Sequence, residues 1–231
     1  MVFSTIEFLF QFLPIFLAAY YLTPPRFRNV TLIIGSLVFY SIGSGWYTLL
    51  LLLSLVVNFW LSHMIGGLQK NHPQKAKHYF IGGMIYNFGW LAIFKYTNFL
   101  VENLNALLSA IHIPLAIPAA HLIMPLGISF TSFAAIAYLI DATRGDCEVE
   151  TSFIRLALFL NFFATVTQGP ICRAGALLPQ LSAEHRFDAA RTVRALRLYA
   201  LGLFKYIAVA DVLNMVVDTV LSLIHISEPT R

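Results

Sequence analysis

From Trp46 to Ile65 the chain runs through twenty residues without a single Asp, Glu, Lys or Arg, and five consecutive leucines, Leu49 to Leu53, stand near its head. A helix of that length covers about 30 Å, the thickness of the bilayer hydrocarbon. Inside lipid every backbone amide must find its partner within the element itself, so such a run restricts the fold to membrane helices. Other runs repeat the signal. Ser4 to Leu22 is stopped by Pro24 and Pro25. Val30 to Ile42 is short, ends at Gly43, Ser44 and Gly45, and predicts a tight hairpin with the run that follows. Tyr79 to Leu100 and His121 to Asp141 are a fourth and a fifth span. Leu196 to Val220, which holds Lys205 and Asp211, is the last. The chain of 231 residues is 58% hydrophobic and 11% charged, against roughly 25% charged in a soluble domain.

The charges orient the spans. Arg26 and Arg28 follow the first run, and Lys70, Lys75 and Lys77 follow the third. With Val30 to Ile65 as a hairpin, both basic stretches face one side, which the positive-inside rule makes cytoplasmic. The net charge of +4 is thus a topology signal, and no nucleic-acid partner is expected from it. Val101 to Ala120, with Glu102 its one charge, reads as an interfacial helix broken by Pro114 and Pro118. A full span at Ser152 to Gln168 would then put the arginine-rich stretch from Arg173 to Arg197 outside, against the rule. A re-entrant segment there removes the conflict, because non-spanning backbone at membrane depth is tolerated where it lines a cavity. The fold expected is an all-α integral membrane protein, a multi-pass helical bundle with a re-entrant segment, in one membrane domain over residues 1–220.

The last eleven residues, from Leu221 to Arg231, match the translation of a widely used sequencing adapter. They are expected to be a non-native tail, which is set aside in reasoning about the fold.

Chemistry-bearing residues are sparse. Cys147 and Cys172 stand alone, without metal-ligand spacing or a disulfide framework, and no metal is expected. His63 and His121 sit at span ends and the other histidines in loops; none is flanked by a catalytic pattern. Polar residues inside apolar runs are the better clue, since a charge at membrane depth is costly unless it has a partner or lines a path. Asn161, Thr165, Thr167 and Gln168 precede a Gly169 and Pro170 break followed by Arg173. A polar half-helix of this kind can line a cavity, so Asn161, Gln168 and Arg173 are candidates, with Ser129 and Thr131 beside them. Gly127, Thr131 and Ala135 recur every four residues and let another helix approach closely. Arg191, Arg194 and Arg197 lie behind Asp188, a candidate N-cap, and form a basic helix face suited to anionic lipid headgroups.

Several motifs, taken in order, resemble the alginate O-acetylation branch of the membrane-bound O-acyltransferase family. They are FLFQFLPI from Phe8, SLVFY from Ser36, FKYTNFL from Phe94, PLGISF from Pro125, YLID from Tyr138, GPICR from Gly169 and GLFKYIAVAD from Gly202. The resemblance extends from Met1 to Val220. The chain departs from the branch's usual pattern at Thr131 and Ala134, and again at Thr165, Val166 and Thr167. The resemblance implies a multi-pass protein of the cytoplasmic (inner) membrane that passes acetyl groups toward hydroxyls of an exported polysaccharide such as alginate. It implies an acyl donor, acetyl-CoA, that is not permanently bound. It implies partners among membrane lipids and either the polysaccharide or an extracytoplasmic acetyltransferase. Alternatives are D-alanyl or other acyl transfer to a cell-wall polymer, or a non-catalytic scaffold or transport subunit. The family's essential histidine is expected beyond Val220, so this chain reads as an amino-terminal fragment without a catalytic residue of its own.

Overall fold

Breaks in the sequence set the helix ends in the computed structural model. It describes residues 5–111, 117–118, 122, 124–167, 169, 171–183 and 185–226, the last five for their backbone only. Every regular element among the described residues is helical. Two units are distinguished, one from Glu7 to Glu184 and the other from His185 onward together with Thr5 and Ile6.

In the first unit a π-helical turn, Phe8–Phe12, leads into α1 (Leu13–Leu22), and α2 (Arg28–Ser44) starts beyond the proline pair. Gly45, at φ 53°, turns the chain into α3 (Tyr47–Gln69). The expected hairpin is present, although α3 packs most extensively on α4 and α2 on α6. Among the described residues, three helical segments are long and apolar enough to cross a membrane: Pro25–Ser44, Tyr47–Gln69 and Ala189–Leu221. This is an all-α membrane protein.

The fourth run differs from expectation. α4 spans Pro73–Ala110 without interruption, 38 residues or about 57 Å. Lys75, Lys77 and His78 are therefore on the helix, started by Pro73 at its first position, where a missing amide costs nothing. There is no break at Leu100 and no separate interfacial helix up to Ala110. Pro114 lies outside the described residues. The reason lies in two asparagines one heptad apart. Asn98 Nδ2 donates to the Leu122 carbonyl (3.0 Å) while its Oδ1 accepts from the Leu122 amide (3.1 Å). Asn105 does the same with Ile117, at 2.8 Å for both bonds. Each side-chain amide acts as a β-strand neighbour would, and the returning segment is held against the helix.

α5 (Ile128–Arg144) is bracketed by Gly127 at φ 67° and Gly145 at φ 81°, conformations that glycine adopts without penalty. It is shorter than the run read from His121, a residue outside those described. Gly127 also lies so close to the Val166 carbonyl that a Cβ there would collide with it. The small-residue spacing therefore acts in two ways, Gly127 as a cap and contact point, Thr131 and Ala135 as buried residues of a helix packed on α3 and α4.

α6 (Phe153–Asn161) stops at Phe162, which is extended (ψ 124°), and a single turn, α7 (Phe163–Val166), follows. α8 (Ala174–Ser182) then returns. The feet of this helical hairpin meet, since Arg155 Nη1 donates to Ser182 Oγ at 2.8 Å. They meet beside the start of α2, where Asn29 Nδ2 donates to the Leu181 carbonyl at 2.9 Å. The end of α3 is joined to the end of α5 through Gln69 and the Thr143 carbonyl. Arg28, Lys70, Arg144 and Arg155 thus gather at one end of the unit, as the charge pattern required. The opposite end is marked by the Leu126 amide donating to Ser44 Oγ at 3.0 Å.

In the second unit Asp188 Oδ1 caps α9 (Ala189–Lys205), accepting from the Ala190 and Arg191 amides at 2.9 and 3.2 Å. A π-helical turn, Tyr206–Ala210, joins it to α10 (Asp211–Ile226), which runs on past Val220.

Candidate functional site

The break after Asn161 is fixed from both sides. The Phe163 amide donates to Ser36 Oγ on α2 at 3.2 Å. Its ring sits among Phe16, Phe162, Phe12, Phe39 and Phe8, with centroids 4.9 to 6.4 Å away. Such ring pairs add to burial, and here they hold an interrupted helix end in place. Asn161, the last residue of α6, is fully enclosed, and neither its Oδ1 nor its Nδ2 has a hydrogen-bond partner. Gln168 lies outside the described residues.

Arg173 stands at the N-cap of α8 and donates from Nη1 to Asp141 Oδ1 at 2.6 Å. The pair is lopsided: the Asp141 side chain is 5% exposed and the Arg173 side chain 69%. Asp141 lies one turn from the end of α5. The guanidinium therefore ties the returning arm of the hairpin to α5 while its other donors face outward. The sequence flagged Arg173 but missed Asp141 as its partner. An acid in an apolar run next to a small-residue face was the available signal, because a carboxylate at that depth requires a cation. Nearby, Glu150 Oε1 accepts from Arg155 Nη2 at 2.7 Å and from the Ser152 amide at 2.8 Å, and the Glu150 amide donates to Tyr138 Oη at 2.9 Å. In that connector, burial pushes the Cys147 thiol above its usual range, with Asp141 and Asp146 adding to the effect. It stays a protonated, weak nucleophile at neutral pH.

Thr131 lies in a different place. It lines a cavity near the Ser44 end, bounded by α2, α3, α4 and α5, together with Tyr47, Trp90 and Phe94. Ser129 is half-buried and is not among its lining residues. The candidates are thus spread over three places: Thr131 at the cavity, Asn161 at the helix break, Arg173 near the basic end. Of the histidines, His63 and His78 each use Nδ1 on a carbonyl one turn back in their own helix, at 3.0 and 2.7 Å.

No protein-family model matches the chain, and no solved structure matches it. Among curated proteins it is 34% identical, over all of its own length and 45% of the relative's, to a protein of Azotobacter vinelandii named "Probable alginate O-acetylase AlgI". It is also 34% identical to the protein of that name in Pseudomonas aeruginosa, over 94% of this chain and 41% of the other. A peptidoglycan O-acetyltransferase of Helicobacter pylori is 30% identical over 91% of this chain and 45% of its own length. The chain spans less than half the length of the curated relatives it matches. With its motifs in register and its all-helical membrane fold, it belongs to the alginate O-acetylase branch of the membrane-bound O-acyltransferases.

Proposed function

We propose that this chain is the portion of a membrane O-acetyltransferase that helps carry an acetyl group toward hydroxyls of an exported polysaccharide. One observation carries the reading: relatives named for two different polymers, alginate and peptidoglycan, match nearly the whole chain, and their names share the acetyl group. A hydroxyl-bearing polymer is the acceptor, or an extracytoplasmic acetyltransferase that serves it. Acetyl-CoA is the donor, and the protein lies in the cytoplasmic membrane with its basic end inside. In this reading the hairpin from Phe153 to Ser182 enters the membrane from the inner side and returns to it. The meeting of its feet at Arg155 and Ser182 supports this. Asn161, Gln168 and Arg173 lie along the acyl path. The Helicobacter relative favours a second acceptor, the glycan of a cell wall.

The test is acetate released by alkali from purified polymer in cells carrying the full-length gene. Alanine at Asn161, Gln168 or Arg173 should each lower polymer acetylation several-fold while membrane insertion is retained. Arg173→Lys separates charge from the fork-shaped contact. Wild-type acetylation in all three alanine variants would reject the acyl path, and no gene-dependent acetate on any polymer would reject the function.

A further inference from the structure

The cavity at the Ser44 end holds about 40 Å³, and its walls are of two kinds. One wall is aromatic. Trp90 stacks on Phe94 with centroids 5.6 Å apart, and Tyr47 meets Phe94 edge-on at 5.7 Å. The other is the start of α5, and it carries Thr131. A threonine within a helix ordinarily turns its hydroxyl back to the carbonyl one turn earlier. Thr143 does so with Leu139 and Thr219 with Met215, at 2.7 and 2.8 Å. Thr131 does not. The Gly127 carbonyl takes only its amide, at 2.9 Å, and its Oγ1 is enclosed without a partner on a residue 7% exposed. A buried hydroxyl left unpaired next to a cavity costs free energy until a polar atom occupies that cavity.

Size limits what that occupant can be. About 10–15 Å³ of such volume holds one water, so this cavity takes a group of about three heavy atoms. A whole sugar ring does not fit within it. A two-carbon acyl group fits, with its carbonyl oxygen toward Thr131 Oγ1 and its methyl against Trp90 and Phe94. We infer that this cavity is a receiving pocket for a short acyl group, with the Thr131 hydroxyl donating to its carbonyl and the aromatic wall limiting acyl length. The inference rests on the acetyl-handling reading above and adds to it a place and a length limit.

The experiment uses the whole chain in detergent, with Trp46 and Trp60 replaced by phenylalanine so that Trp90 alone reports. The probes are S-acetyl-cysteamine and S-hexanoyl-cysteamine. The acetyl thioester should change Trp90 fluorescence saturably and the hexanoyl thioester should not. Thr131→Val should weaken acetyl binding by about 2- to 12-fold, the range expected for one hydrogen bond, and Thr131→Ser should preserve it. A carbon-13 label on the acetyl carbonyl should show a hydrogen-bonded infrared band that Thr131→Val abolishes. No saturable response, an equal response to hexanoyl, or unchanged binding in Thr131→Val would overturn the pocket. Polymer acetylation by the full-length protein is read separately, so it can persist while the pocket fails.

Discussion

Buried asparagines occur at two interfaces of the first unit, and they are treated in opposite ways. Between α3 and α4, Asn58 and Asn87 face each other, each 1% exposed. Their amides exchange hydrogen bonds of 3.2 and 2.8 Å, and each also donates to a carbonyl of its own helix, Ser54 and Gly83, at 2.9 Å. At the end of α6, Asn161 is as completely enclosed and has no partner for either polar atom. The first arrangement suits a joint between spans, since lipid offers no hydrophobic drive for helix association and reciprocal hydrogen bonds add specificity. The second costs stability, and the surrounding packing has to supply it. The paired asparagines join two helices, whereas the unpaired Asn161 sits where a helix is interrupted.

The packing that offsets this cost is the phenylalanine cluster, so the comparison breaks most severely there. Phe163→Ala should destabilise the purified chain by about 3–5 kcal/mol, read by thermal unfolding in detergent. Asn87→Leu should cost less, about 1–2 kcal/mol, because it strands Asn58 Oδ1. Adding Asn58→Leu should recover part of the loss, a recovery that independent roles for the two residues would not give. Asn161→Leu should cost least, within about 1 kcal/mol of the parent or slightly stabilising, because no bond is lost and an unpaired amide is removed. A loss as large as that of Asn87→Leu would mean Asn161 has a structural partner after all.

Much of this was legible from residue order. Runs of apolar residues, the proline pair and the glycines gave the helices and the ends of the first three, and Asp188 was readable as an N-cap because its side chain competes for the first amides of a helix. Lys and Arg placement indicated which helix ends share a side. The candidate site was legible only in part. Thr131, Asn161 and Arg173 stood out as polar residues in apolar surroundings, but their partners did not, because Asp141 and Arg173 are brought together by a chain reversal. The interfacial helix was misread for a related reason: Asn98 and Asn105 look like ordinary surface residues until the returning chain is beside them.

Sequence by itself determined that this chain is a helical membrane protein, because no other backbone satisfies its own hydrogen bonds in lipid over such long apolar runs. It also determined the branch, through motifs kept in order along the chain. Only the tertiary structure decided which polar groups are paired. Pairing depends on what the neighbouring helices present at the same depth. It left Asn161 and Thr131 Oγ1 enclosed without a bond, one at the break between α6 and α7 and the other at the wall of a cavity near the Ser44 end.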